Sequence, residues 1–192
     1  MVADIKKNAF KKIYLYLEKR KVSKILEELN IENYHVNDDL SVDVNGSVNI
    51  SEENITKIPV QFNFINGDFD CGYNLLSTLK GVPKNISGNF ICCNNNLFDM
   101  EYSPEVVGGS CDYSNNNITS LLNSPKNIGT YLNVYKNNLL SLNNNIEELN
   151  NIIISDKYNY PINLTLKELN SIENIVDHPL LQKNKNRQMK LS

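Results

Sequence analysis

Four cysteines, two histidines and a few carboxylates are the side chains of this 192-residue chain best suited to chemistry. Cys71, Cys92, Cys93 and Cys111 form no C-x-x-C pair, and the adjacent Cys92 and Cys93 point to opposite faces of an extended segment. A zinc site would need a further ligand close by, and His35 and His178 stand well away from the cysteines along the chain. Asp70 and Asp112 are the pair that could share acid–base work, about 9–10 Å apart if they sit on strands two places apart. Nothing around them in sequence supplies a pocket or a reason for a raised carboxyl pKa. The chain has no phosphate-binding glycine loop, zinc-protease helix motif or nucleophile elbow. These patterns point away from an enzyme, a resident metal or a cofactor.

The composition agrees with a binding or structural role. A formal charge of −3 and a pI near 5.5 fit neither a DNA-coating protein nor an acidic tail, and no basic stripe marks a nucleic-acid surface. No run of about 18 apolar residues offers a membrane span. Met1 to Lys7 lacks the apolar stretch of a secretory signal, and unpaired cysteines suit a reducing compartment, so the expected location is cytoplasmic. The outlying feature is about 34 asparagines, far above a usual share.

Sliding the chain against itself by 21 positions explains that bias. One column reads Val44, Ile65, Ile86, Val107, Ile128, and the next Gly46, Gly67, Gly88, Gly109, Thr130. Two inward columns follow: Val48, Phe69, Phe90, Cys111, Leu132, then Ile50, Cys71, Cys92, Tyr113, Val134. Asn74, Asn95, Asn116 and Asn137 stack next, before the apolar columns Ile55, Leu76, Leu97, Ile118, Leu139 and Ile58, Leu79, Met100, Leu121, Leu142. The apolar-x-apolar pair predicts a short strand in each unit, near 47–50, 68–71, 89–92, 110–113 and 131–134, pairing in parallel with its neighbours. The Asn is placed where the chain leaves the sheet, with an amide able to satisfy backbone groups of adjacent coils. Pro83, Pro104 and Pro125 argue against a helix on the return side, so turns or 3₁₀-like segments are expected there. Three of the four cysteines fall in inward columns as small hydrophobes; Cys93 lies just past the strand and is expected to be exposed.

Phe69 to Leu79 shows the unit in full, apolar-x-apolar-x-x-Asn-x-apolar-x-x-apolar. It resembles the leucine-rich repeat, L-x-x-L-x-L-x-x-N-x-L, at the short end of its period of about 20–29 residues. The stretch Leu79 to Cys92, with Gly81, Pro83, Gly88 and Phe90 in place, is similar to the Asn-rich repeats of proteins encoded by large tailed phages. The resemblance covers 42 to about 146. It implies a leucine-rich-repeat β-solenoid with short parallel strands on a concave side.

Solenoid ends need covering, and both ends of this chain read as small helical caps. Residues 1–41 would form the first. Within it lie a helix over 4–19 whose apolar face is Ile5, Phe10, Ile13 and Leu17, and a second short helix capped by Ser23 and using Ile25, Leu26 and Leu29. Residues 42–146 form about five units. Residues 147–182 supply a last strand at Ile152 to Ile154 and a helix from Thr165 to about Val176, and 183–192 form a basic tail.

Side chains pointing away from the core are free of packing constraints. One lane is Asn49, Asp70, Ile91, Asp112, Asn133; beside it run Asp68 and Tyr131, with Tyr73 and Tyr135 past the strand ends. Acidic groups among tyrosines and an apolar side chain suit a protein interface. The expected function is a non-enzymatic protein–protein interaction module that binds a protein partner through this face and is monomeric alone. The phage resemblance implies a partner such as a host factor that is bound or inhibited. A structural component of a larger assembly is the alternative.

Overall fold

The protein is described from a computed structural model covering residues 2–140, 142, 146–147, 150–155 and 161–170. It is a β-solenoid of about five coils. The chain opens with helix α1 (Val2–Glu28), then β1 (Tyr34–Val36) and β2 (Val42–Val44). The coils follow as alternating short strands: β3 (Val48–Asn49), β4 (Phe62–Ile65), β5 (Phe69–Asp70), β6 (Asn85–Ile86), β7 (Phe90–Ile91), β8 (Val106–Val107), β9 (Cys111–Asp112), β10 (Asn127–Ile128) and β11 (Tyr131–Asn133). The described part closes with β12 (Asn151–Ser155), β13 (Pro161–Leu164) and a five-residue helix α2 (Leu166–Asn170).

These strands make two sheets, one more than the sequence pattern predicts. The first has the order β1-β2-β4-β6-β8-β10 and the second β13-β12-β11-β9-β7-β5-β3. The second is the expected sheet, in the expected register: Val48 opposes Phe69, Phe69 opposes Phe90, Phe90 opposes Cys111 and Cys111 opposes Leu132, all in parallel. The first uses the column Val44, Ile65, Ile86, Val107 and Ile128, likewise parallel from β2 onward. That column contains only Val and Ile, the stiff β-branched types that suit a pleated surface. Between the two sheets the glycines let coils approach. A Cβ at Gly88 would lie 2.7 Å from the carbonyl oxygen of Gly67, a distance that no side chain accommodates.

The core lies between the sheets. Phe62, Phe69, Phe90 and Tyr113 form an aromatic file with successive centroids 5.2, 6.1 and 5.4 Å apart. The Tyr113 hydroxyl donates to Ser103 Oγ at 2.9 Å, which makes its burial affordable. Leu97 is buried between Leu76 and Ile118, as the register requires. The return side is built of turns, with Val82, Ser103 and Ser124 each donating N–H to the carbonyl three residues back, followed by buried Pro83, Pro104 and Pro125.

The asparagine column is a ladder. Asn95 is 7% exposed; its Oδ1 accepts the N–H of Leu76 in the preceding coil at 2.9 Å. Its Nδ2 donates to the Cys71 carbonyl of that coil at 3.0 Å and to the Cys92 carbonyl of its own at 3.1 Å. Asn74, Asn116 and Asn137 repeat the arrangement one coil away each. A bent strand leaves these backbone groups without partners, and an amide supplies the acceptor and donors together.

The N-terminal cap differs from its prediction. One continuous helix replaces the expected two, because nothing between Leu17 and Glu28 breaks a helix and Glu18-Lys19-Arg20-Lys21 favours one. It ends at Asn30 (φ 55°), where Ile31 N–H returns to the Leu26 carbonyl at 2.8 Å. Leu26 is buried, and Val22, Ile25 and Leu29 pack on the core. The expected core face is not used: Phe10, Ile13 and Leu17 are 71, 56 and 51% exposed. Ile5 lies outside the side chains described. At the far end β12 pairs with β11 in parallel, as expected of a last strand, and β13 adds an antiparallel strand the sequence did not suggest. Thr165 begins α2 with a reciprocal capping box, its Oγ1 accepting Glu168 N–H while Glu168 Oε2 accepts Thr165 N–H. Residues 171–192, which include the rest of the expected helix and the basic tail, lie outside the described residues.

Candidate functional site

The lane named from sequence comes together as one row across the second sheet. Strand pairing sets Asn49 beside Asp70, Asp70 beside Ile91, Ile91 beside Asp112 and Asp112 beside Asn133. Asp70, Ile91, Asp112 and Asn133 are half-buried and Asn49 is exposed. Tyr131 is 39% exposed at the start of β11, Tyr73 is 58% exposed past β5, and Tyr135 is half-buried with the Lys136 ammonium 5.5 Å from its ring centre.

Three of these acids have a second task. Asp70 Oδ1 accepts the N–H of Gly72 at 2.9 Å, and Asp112 Oδ1 accepts that of Ser114 at 2.8 Å. Asn49 and Asn133 do the same for Ser51 and Tyr135. Asp68 Oδ1 takes the N–H of Asn89 at 2.6 Å, and Asn89 Oδ1 takes that of Ser110 in turn. The turns after β5 and β9 therefore use an acceptor at Asp70 and Asp112, and stacking of the next coil uses one at Asp68, positions that sequence reading treated as unconstrained. It does not dictate a charge, because asparagine performs the same task in the adjacent coil. The negative charges of Asp70 and Asp112 exceed what the fold requires.

Tyr73 carries a related signal. The third residue past each of β3, β5, β7, β9 and β11, namely Glu52, Tyr73, Asn94, Asn115 or Lys136, is left-handed, with φ between 53° and 61°. Asparagine takes this conformation readily; a tyrosine pays for it. Tyr73→Asn should raise stability by about 0.5–1 kcal/mol in denaturant unfolding, since the strain goes while a side chain 58% exposed contributes little packing. A loss of stability would show that the ring supports the fold.

The cysteines are core. Cys71, Cys92 and Cys111 are fully buried, and Cys93, expected outside, is buried at 7% exposure. Burial pushes the thiols of Cys71, Cys92 and Cys111 far above the ordinary range, with the neighbouring Asp70 or Asp112 charge adding to the effect. They keep their protons in the folded chain and lose them when it unfolds. Stability is therefore complete below the unfolded thiol pKa and falls as pH rises past about 8.5. The three together should remove about 2–3 kcal/mol between pH 7 and pH 9, measured by urea unfolding across that range. Among the described residues no three His, Cys, Asp or Glu side chains converge as metal ligands would.

Sequence reading assigned Phe10, Ile13 and Leu17 to a buried face, and so missed them as surface. The signal was present: 10, 13, 14, 17 and 22, 25, 26, 29 are two copies of one helical spacing, set about 120° apart around the axis. Only one of two such stripes can face the solenoid. In comparisons with protein-family models, curated proteins and solved structures, the chain has no significant match.

Proposed function

We propose that this chain is a non-enzymatic protein-binding module whose partner sits on the outer face of the second sheet. The observation that carries the reading is the excess of charge and strain on that face. Asp70 and Asp112 are charged where Asn49 and Asn133 serve the same turn, and Tyr73 holds an exposed ring in a left-handed position that asparagine fills at lower cost. Ile91 lies between the two acids as an apolar centre. Rigid aromatic and aliphatic anchors ringed by charge are what a protein interface uses. The resemblance of 42–146 to short leucine-rich repeats, and to those of phage proteins, supports the same reading and favours a host or viral protein as partner.

The chain and its Asp70→Asn/Asp112→Asn/Tyr73→Asn variant, each used as bait in the source cell, provide the test. The substitutions keep every turn acceptor, so the fold is preserved while two charges and the ring are lost. A partner held by the parent chain should be depleted at least about 10-fold on the variant, and its association should slow as salt screens the acidic face. Equal retention would place the binding surface elsewhere.

A further inference from the structure

The first half of α1 carries an apolar stripe on which none of the described core residues packs. Phe10, Ile13, Tyr14 and Leu17 are 71, 56, 66 and 51% exposed, on the spacing that elsewhere in the same helix seats Leu26 in the core. The segment 7–17 is purely basic, with Lys7, Lys11 and Lys12 and no acid. Charge in the chain is segregated accordingly. α1 holds eight of the 19 Lys and Arg but four of the 22 Asp and Glu, leaving eleven bases against eighteen acids elsewhere. Nearer the solenoid Lys19, Lys21 and Lys24 are in ion pairs with Asp38, Glu18 and Glu28; among the described residues Lys11 and Lys12 are in none.

The second sheet offers the complement. It carries Asp70 and Asp112 on either side of Ile91, with Asp68 just before β5, Glu52 past β3 and Lys136 as a base past β11. Residues 7–17 span about 15 Å of helix, and the row from Asn49 to Asn133 spans four strand spacings, about 19 Å. We infer that a second copy of this chain is an occupant of that face: α1 of each protomer lies across the second sheet of the other, its apolar stripe on Ile91 and its lysines toward Asp70 and Asp112. The inference rests on the face proposed above and names one partner for it. Two such contacts related by a two-fold axis close the assembly as a dimer. Helix-to-helix pairing is disfavoured because it would bring like charges together.

The test is the solution mass of the full chain by sedimentation equilibrium, up to about 100 µM. The expected result is a species of twice the 21.9 kDa chain mass that dissociates as salt rises. Lys11→Glu/Lys12→Glu, on exposed helix positions, should raise the dissociation constant at least about 10-fold, and so should Asp70→Asn/Asp112→Asn, which keeps the turns. A monomer throughout the range overturns the inference, as does a dimer that neither variant weakens. Weakening by the lysine pair alone removes the second sheet as the seat of the helix and overturns it too. A monomer whose face still captures another protein in the bait experiment separates failure of this inference from failure of the binding face itself.

Discussion

Asn95→Ala should cost about 2–3 kcal/mol, because truncation strands the buried N–H of Leu76 and takes one of two amide donors from the carbonyls of Cys71 and Cys92, which keep those of Asn74 and Asn116. Asn95 is only 7% exposed, which limits replacement of the amide by water. The neighbouring Asn96→Ala provides the control. Asn96 is exposed and uses only its backbone N–H, toward Leu76, so its truncation should stay within about 0.5 kcal/mol. Urea unfolding of the two variants compares them directly. Equal losses would mean that the asparagine column is not the structural ladder its geometry describes.

Leu97→Ala should cost about 2–5 kcal/mol, the range for opening a cavity in a packed core. Leu97 is 1% exposed, with Leu76 and Ile118 at 0% in the coils on either side. A coil cannot shift to fill the gap without breaking its hydrogen bonds to both neighbours, so the loss should fall in the upper part of the range. Phe98→Ala removes a larger side chain, but one 61% exposed, and should change unfolding by far less. The contrast between adjacent positions tests the register: a shift of one residue would reverse it.

Most of the coil was legible in sequence because a solenoid writes each structural demand once per repeat. Inward columns, the Asn ladder and the parallel register of the second sheet all follow from types stacked at one spacing. The first sheet was not read because most of its strands present one inward column, followed two residues later by glycine, whereas the second sheet shows two inward columns in alternation. Its only trace was the Val and Ile restriction of the 44-to-128 column. Cys93 was placed outside by counting strand positions, whereas the turn stabilised by Asp70 brings its sulfur to 3.3 Å from where a Cβ on Gly72 would stand. The α1 stripes were legible as apolar periodicity, but periodicity alone does not say which stripe meets the solenoid. Of the candidate face, the lanes were legible but not the hydrogen bonds that occupy Asp68, Asp70 and Asp112. Those of Asp70 and Asp112 arise only once the chain folds back two residues on, and that of Asp68 only once the next coil stacks beside it.

A photo-cross-linking side chain at Ile91, between Asp70 and Asp112, tests the binding face most directly when set against the same probe at Asn85, which is exposed on the first sheet. With the full chain irradiated in its source cell, discrete protein adducts should arise from position 91 and not from position 85. One of them should have twice the chain mass. Absence of adducts at 91, or adducts of equal yield at 85, would contradict the assignment of the second sheet as the surface on which this protein acts.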